Sequence, residues 1–175
     1  IALSYTWCMG GITFFLFLVE TVTGVLLMFY YRPTVEWAYQ DIVNLRAVTT
    51  LGVLRELHRW GAHAMVISVW PHMYRVFLTG GYKPPREFNW TVGVILLVLT
   101  LLLSFTGYLL PWDQKGFWAT KVATDIMGGT PIIGEQLKLL VLGGADYGHH
   151  TLTRFFALHA GILPVSVIAL TVGHI

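Results

Sequence analysis

Apolar residues run along this chain in four long blocks separated by short polar breaks. A spanning helix needs about 20 predominantly apolar residues, because the hydrocarbon layer is about 30 Å thick and each residue rises about 1.5 Å. The first block covers about 7–31, from Trp7 to Tyr31, and carries one acid, Glu20. The second covers about 53–78, with no Lys, Arg, Asp or Glu between Trp60 and Tyr74. The third, about 89–110, lies inside an uncharged stretch from Phe88 to Trp112, and Val94–Leu103 is almost wholly aliphatic. The fourth, about 151–175, is uncharged from Phe155 to Ile175 and reads as truncated, within a chain that reads as part of something longer. No charged n-region precedes the first block, so no cleaved signal peptide is read. The pattern predicts an all-α transmembrane four-helix bundle in which consecutive spans alternate in direction.

The breaks add short elements. Arg32-Pro33 ends the first span, since proline cannot continue a helix. Val35–Arg46 has apolar positions at roughly helical spacing and predicts a short helix lying in the interface. Gly80–Arg86 is a tight turn that groups Arg75, Lys83 and Arg86 against Glu87, which places this end on the cytoplasmic or equivalent side. Pro111-Trp112-Asp113 ends the third span, with Asp113 read as a solvated helix terminus or a lysine partner. Two further short helices are predicted over 117–127 and 134–142, parted by Gly128-Gly129-Thr130-Pro131. A segment this long without a span is more often functional than a mere connector.

Composition narrows the class. Only 11% of the 175 residues are charged, against about a quarter in an ordinary soluble domain, and 55% are apolar. A soluble protein of this size could not cover its surface so sparsely. The net charge of +2 is too mild to argue for nucleic acid as a partner. One cysteine, Cys8, excludes an internal disulfide and a Cys-rich metal site.

Histidine carries the chemistry. Of seven, five lie inside apolar blocks, where ionisable groups are costly and usually functional, and four of these fall at matched intervals. His58 and His72 are 14 residues apart, about 40° short of four helical turns, so they share a face about 21 Å apart along the axis. His159 and His174 are 15 apart, about 60° past four turns. If the second and fourth spans run parallel, His58 pairs with His159 and His72 with His174. An antiparallel arrangement would pair His58 with His174 instead. Two histidines alone are a poor zinc site but suffice as axial ligands of a haem. Gly10 and Gly24 in the first span, and Gly93 and Gly107 in the third, repeat the 14-residue interval. They either clear room for two stacked macrocycles or pack helix on helix. Arg55, Arg59 and Arg75 flank the histidines and are candidates for haem propionates, with interfacial snorkelling as the plain alternative. His63 falls off the ligand face and reads as a packing or hydrogen-bonding residue, and His149-His150 sit at the water boundary.

Seven segments carry a resemblance: Tyr30–Pro33, Leu57–Ala62, His72–Gly81, Lys83–Glu87, Phe105–Trp112, Pro131–Gly134 and Thr151–His159. Together they resemble the N-terminal four-helix half of cytochrome b, in particular the short split form of cytochrome b/f and related bacterial quinol-oxidising complexes. The resemblance implies a di-haem electron-transfer subunit of a bacterial cytoplasmic or thylakoid membrane, with two non-covalent b haems. His58 and His159 would hold the low-potential haem on the positive side. His72 and His174 would hold the higher-potential haem on the negative side. Gly10, Gly24, Gly93 and Gly107 match the family's haem-packing glycines. It also implies that Cys8, in Cys8-Met9-Gly10-Gly11, bonds an additional c-type haem; the plain reading is a small packing residue.

The same resemblance implies bifurcated quinol oxidation with a Rieske iron–sulfur protein, a c-type cytochrome subunit and a second cytochrome b fragment akin to subunit IV, in a dimeric complex surrounded by lipid and quinone. Phe105, Tyr108, Trp118, Ala119, Lys121 and Val122 would form one wall of the quinol site. The family's Pro-Glu-Trp-Tyr motif is absent from this sequence. Glu20 departs from the family pattern, and a neutral acid bonded to Thr21 or Thr23 is its favoured reading, with a proton path as the other. A di-haem anchor of another respiratory oxidoreductase and a non-redox membrane subunit are the competing classes.

Overall fold

The computed structural model describes residues 8–175, so Trp7, the expected first residue of the first span, lies outside the described residues. All regular structure among them is helical: α1 (Met9–Met28), α2 (Ala38–Ala47), α3 (Thr49–Leu78), α4 (Glu87–Leu109), α5 (Gln114–Gly128), α6 (Gly134–Leu142), α7 (His149–Ala157), a π turn (Leu158–Ile162) and α8 (Leu163–His174). Helices α1 and α4, and the continuous run from His149 to His174, are long and apolar enough to cross a membrane. Helix α3 is longer than any of these at 30 residues, but Arg55, Glu56 and Arg59 make it less apolar. Thirty residues reach about 45 Å, the thickness of a bilayer with its headgroups. Its charged opening turns then extend past the hydrocarbon, which is why the helix starts four residues before the expected span.

Side-chain contacts give the directions of the helices. Gly10 of α1 meets His72 and Gly24 meets His58, so α1 and α3 are antiparallel. Gly93 of α4 meets His174 and Gly107 meets His159, so α4 runs against the α7–α8 rod. The His58–His159 and His72–His174 contacts make α3 and that rod parallel. The centre of the bundle is closed by Phe17, Met65 and Val167, with Leu16, Leu96, Leu99 and Leu103 packed around them. Phe17 lies midway between Gly10 and Gly24, and Met65 midway between His58 and His72. Outside this core the helices expose Phe15, Val22, Ile67, Ile95, Val165 and Val172. Such a surface requires an apolar surrounding rather than water.

The π turn has a local cause. Pro164 has no N–H to donate back to the Ala160 carbonyl, and Gly161 is a weak helix former. A π turn inserts one residue into a helix without advancing its register. The 15 residues from His159 to His174 therefore behave as 14, about 40° short of four turns, as in α3. The expected difference of about 100° between the two histidine intervals is thereby removed.

The loops are tied at the bundle's ends. Asp113 is not a loose terminus: its Oδ1 accepts from Gly116 N at 2.8 Å and caps α5, which starts at Gln114 rather than near 117. The Tyr31 hydroxyl donates to the Leu110 carbonyl at 2.6 Å, joining the ends of α1 and α4. Asp41 of α2 accepts from Arg32 N (2.9 Å), Nε (3.0 Å) and Nη2 (2.6 Å), and the guanidinium lies 4.2 Å over Trp37. Arg32 beside Asp41 holds that carboxyl below its ordinary range. A carboxyl whose pKa falls on folding contributes stability above its unfolded pKa and loses it as pH drops through the folded value. Protease cleavage of the 33–37 segment in membranes should therefore rise below about pH 4 in the native protein. In Asp41→Asn it should be high already at pH 7. Equal cleavage of the two forms at pH 7 would remove this clasp from the account.

Candidate functional site

Two layers of paired imidazoles lie on either side of the Phe17–Met65–Val167 core. In the first layer, His58 of α3 and His159 of the π turn have ring centroids 6.1 Å apart and planes at 85°. In the second, His72 of α3 and His174 at the end of α8 are 6.5 Å apart at 84°. Each ring is backed by a glycine. A Cβ on Gly24 would lie 3.1 Å from His58 Cε1, and on Gly107 2.6 Å from His159 Cε1. On Gly10 it would lie 3.0 Å from His72 Cε1, and on Gly93 3.1 Å from His174 Cε1. The four glycines thus act by letting an imidazole edge seat against the backbone of the neighbouring helix.

The first layer has defined tautomers. His159 Nδ1 lies 3.0 Å from the Leu103 carbonyl, which can only accept, so Nδ1 carries the proton. The Thr106 hydroxyl is 3.3 Å from the same nitrogen and already donates to the Leu102 carbonyl at 2.8 Å. The Thr23 hydroxyl likewise donates to Val19 O at 2.7 Å, so at 2.9 Å from His58 Nδ1 it accepts. Glu20 Oε2 lies 3.1 Å from the same His58 nitrogen. Both Nε2 atoms are left unprotonated, the form that binds metal. In the second layer His72 Nδ1 and His174 Nδ1 are buried without a partner among the described residues. That layer opens on an apolar cavity of about 460 Å³, lined by Gly10, Phe14, His72, Trp90, Gly93 and His174 among others.

Several features were missed from sequence. The Glu20 carboxyl does not bond the hydroxyl of Thr21 or Thr23: those donate to backbone carbonyls, Phe17 O and Val19 O, and the carboxyl turns to His58. The dipeptide Thr-Gly precedes each first-layer contact, as Thr23-Gly24 and Thr106-Gly107, whereas Met9-Gly10 and Val92-Gly93 serve the second. That contrast was available as a signal for layers with different hydrogen bonding.

The remaining candidates divide. Arg55 Nη1 and Arg59 Nη2 both pair with Glu56, at 2.6 and 2.8 Å, and Arg59 also lies over Trp60. Arg75 makes no ion pair among the described residues. His63 stands outside both layers, 2.6 Å from the Arg59 carbonyl and against Trp60. Cys8 is exposed at the start of α1 with φ 47°, at the His72 end of the bundle, and its Sγ occupies space that a side chain on Gly11 would need. Tyr108, Trp118, Ala119 and Val122 are exposed together at the α4–α5 corner. The corner is tight because Gly116 sits against the Tyr108 carbonyl, where a side chain would not fit. Phe105 turns inward onto Phe155, and Lys121 pairs with Asp125 at 3.3 Å, beside Tyr147.

The sequence matches the cytochrome b/b6/petB family over residues 1–175. The chain belongs to that family. It is 45% identical to cytochrome b6 of Tupiella akineta over 169 residues, covering 96% of this chain and 79% of the relative. It is 46% identical to cytochrome b6 of Synechococcus sp. (strain JA-3-3Ab) over 159 residues, covering 90% and 74%. The fold superimposes with a TM-score of 0.91 on a chain from a hyperthermophilic respiratory complex III, at 28% identity. That match covers 99% of this chain and 47% of the other, so this chain spans about half of that one. Family and helices together make it an integral membrane protein of a bacterial or thylakoid membrane.

Proposed function

We propose that this cytochrome b-family chain is the di-haem electron-transfer subunit of a quinol-oxidising complex. The observation that carries the reading is the opposed imidazole pairs, 6.1 and 6.5 Å between centroids. Two metal–nitrogen bonds of about 2.0 Å, with about 1.2 Å from each nitrogen to its ring centre, require roughly 6.4 Å. His58 with His159, and His72 with His174, therefore fit as axial ligands of two b haems. When bound, haem supplies reversible one-electron chemistry at iron.

The chain's own residues do the rest. Leu103 O, Thr106, Thr23 and Glu20 hold the first-layer imidazoles with Nε2 free. Phe17, Met65 and Val167 keep water out of the midplane between the layers. Arg75, Lys83 and Arg86 favour the His72 end on the negative side, so with quinol oxidised on the positive side the His58 pair would hold the haem nearer the electron source and the His72 pair the one nearer the exit. The exposed Tyr108, Trp118, Ala119 and Val122 suit one apolar wall for a quinol ring at the entry side. The complex would include a Rieske protein, a c-type cytochrome and a second cytochrome b fragment, with plastocyanin or a soluble cytochrome c as acceptor. Arg75 is the candidate for a propionate on its side. Arg55 and Arg59 serve on the other only by sharing or leaving Glu56.

Absorption and pyridine-haemochrome analysis of the purified complex tests this. Two b haems per chain are expected, and none would overturn the reading. The exposed thiol of Cys8, one residue beyond Met9-Gly10 and at the same end as the cavity, further supports a covalent c-type haem there. Haem-stained denaturing gels should show this subunit keeping haem after acid-acetone extraction, and losing it in Cys8→Ser. A band that still stains in that variant places the covalent link elsewhere.

A further inference from the structure

We propose that Glu20 lowers the reduction potential of the His58/His159 haem by presenting its carboxylate to the Nδ1–H of His58. The inference rests on the di-haem reading above. Oε2 lies 3.1 Å from Nδ1, with the Glu20 side chain 13% exposed. The position is built for a side chain of this length. Gly61, one turn beyond His58 on α3, lies against Glu20 Oε1, and any side chain there would overlap that oxygen. Neither nearby threonine competes for the carboxyl, because each has donated its proton to a backbone carbonyl.

The two layers differ in this respect. Around the first, Nδ1–H groups meet three neutral acceptors (Thr23, Thr106 and the Leu103 carbonyl), and a carboxyl oxygen lies 3.1 Å from His58 Nδ1. Around the second, neither Nδ1 has a partner among the described residues. An acceptor on Nδ1–H pushes the ring toward imidazolate and makes Nε2 a stronger donor, which favours ferric over ferrous iron. A negative charge one ring away acts in the same direction, and more strongly in a medium of low dielectric constant. Both effects bias an electron on the first layer to move on to the second. Glutamine at position 20 would keep the shape and an acceptor oxygen but remove the charge, so it isolates the effect.

The test is potentiometric titration of both b haems, followed optically, in the intact complex. Glu20→Gln should raise the ferrous-to-ferric ratio of the His58/His159 haem about tenfold at fixed potential, which is about 59 mV for one electron. The His72/His174 haem should not move. Gly61→Ala keeps the acid but places a methyl where Oε1 lies, and should shift the same haem in the same direction. Because Gly61→Ala leaves the acid in place, it decides the question if Glu20→Gln does not assemble. Thr23→Ala should shift it less. An unchanged first-layer midpoint in the assembled variants, or an equal shift of both haems, overturns the role of Glu20. A native complex with no b-type absorbance instead removes the haem reading beneath it.

Discussion

Replacing His159 with alanine should remove the haem proposed between α3 and the π turn and leave the one proposed at His72 and His174. His159 is the only nitrogen donor on its helix that faces His58, at 6.1 Å between centroids. Alanine leaves His58 alone, with one axial donor where two are needed. The vacated hydrogen bonds at Leu103 O and Thr106 offer no nitrogen in exchange. The second layer is about 21 Å away along α3 and shares no side chain with the first, so its ligation should respond independently. Reduced-minus-oxidised spectra should show the b-haem absorbance falling by about half, with the surviving haem still reducible from the negative side. His174→Ala should give the complementary loss. If His159→Ala retained both haems, or if His159→Ala and His174→Ala removed the same haem, the pairing of His58 with His159 would be wrong.

The layered pairing was legible because a helix converts spacing into direction with no further information. Fourteen residues on α3 put His58 and His72 on one face, and the same interval in Gly10/Gly24 and Gly93/Gly107 marks the two surfaces that receive the rings. The 15-residue interval on the last helix could not be read this way. Its extra residue is absorbed by hydrogen bonds that skip five positions, and Gly161 and Pro164 hint at that only after the fact. The partner of Glu20 was hidden for another reason. Knowing that an acid in a span must find a partner does not say which one, and the answer depends on the register of α1 against α3, set by Gly24 on His58. Asp113 was misread because a Pro-Trp-Asp end resembles a stop, while the carboxylate in fact opens the next helix. The first four residues of α3, Thr49–Gly52, fell outside the expected span because the apolar criterion applies only inside the hydrocarbon, and this helix begins outside it.

Haem-loaded and isolated, this chain should show no inhibitor-sensitive quinol oxidation, and the reconstituted complex should restore it. Quinol oxidation releases protons, and a base must come within hydrogen-bond reach of the departing proton, directly or through one water. At the α4–α5 corner the exposed side chains include Tyr108, Trp118, Ala119 and Val122, which offer apolar surface to a ring but hold no carboxylate. The two acids nearest in sequence are already engaged. Asp113 caps α5 through Gly116 N. Asp125 is bonded by Lys138 at 2.7 Å and by Lys121 at 3.3 Å, which keep its carboxyl below the ordinary range and make it a poor base at neutral pH. On the proposed function, the proton acceptor would come from a companion chain docked over the Tyr108–Trp118 surface. Trp118→Ala should weaken quinol binding in the assembled complex, seen as a raised KM, while both b haems keep their spectra. Turnover by the isolated chain, without a Rieske protein or second fragment, would show that the acid lies within these 175 residues after all.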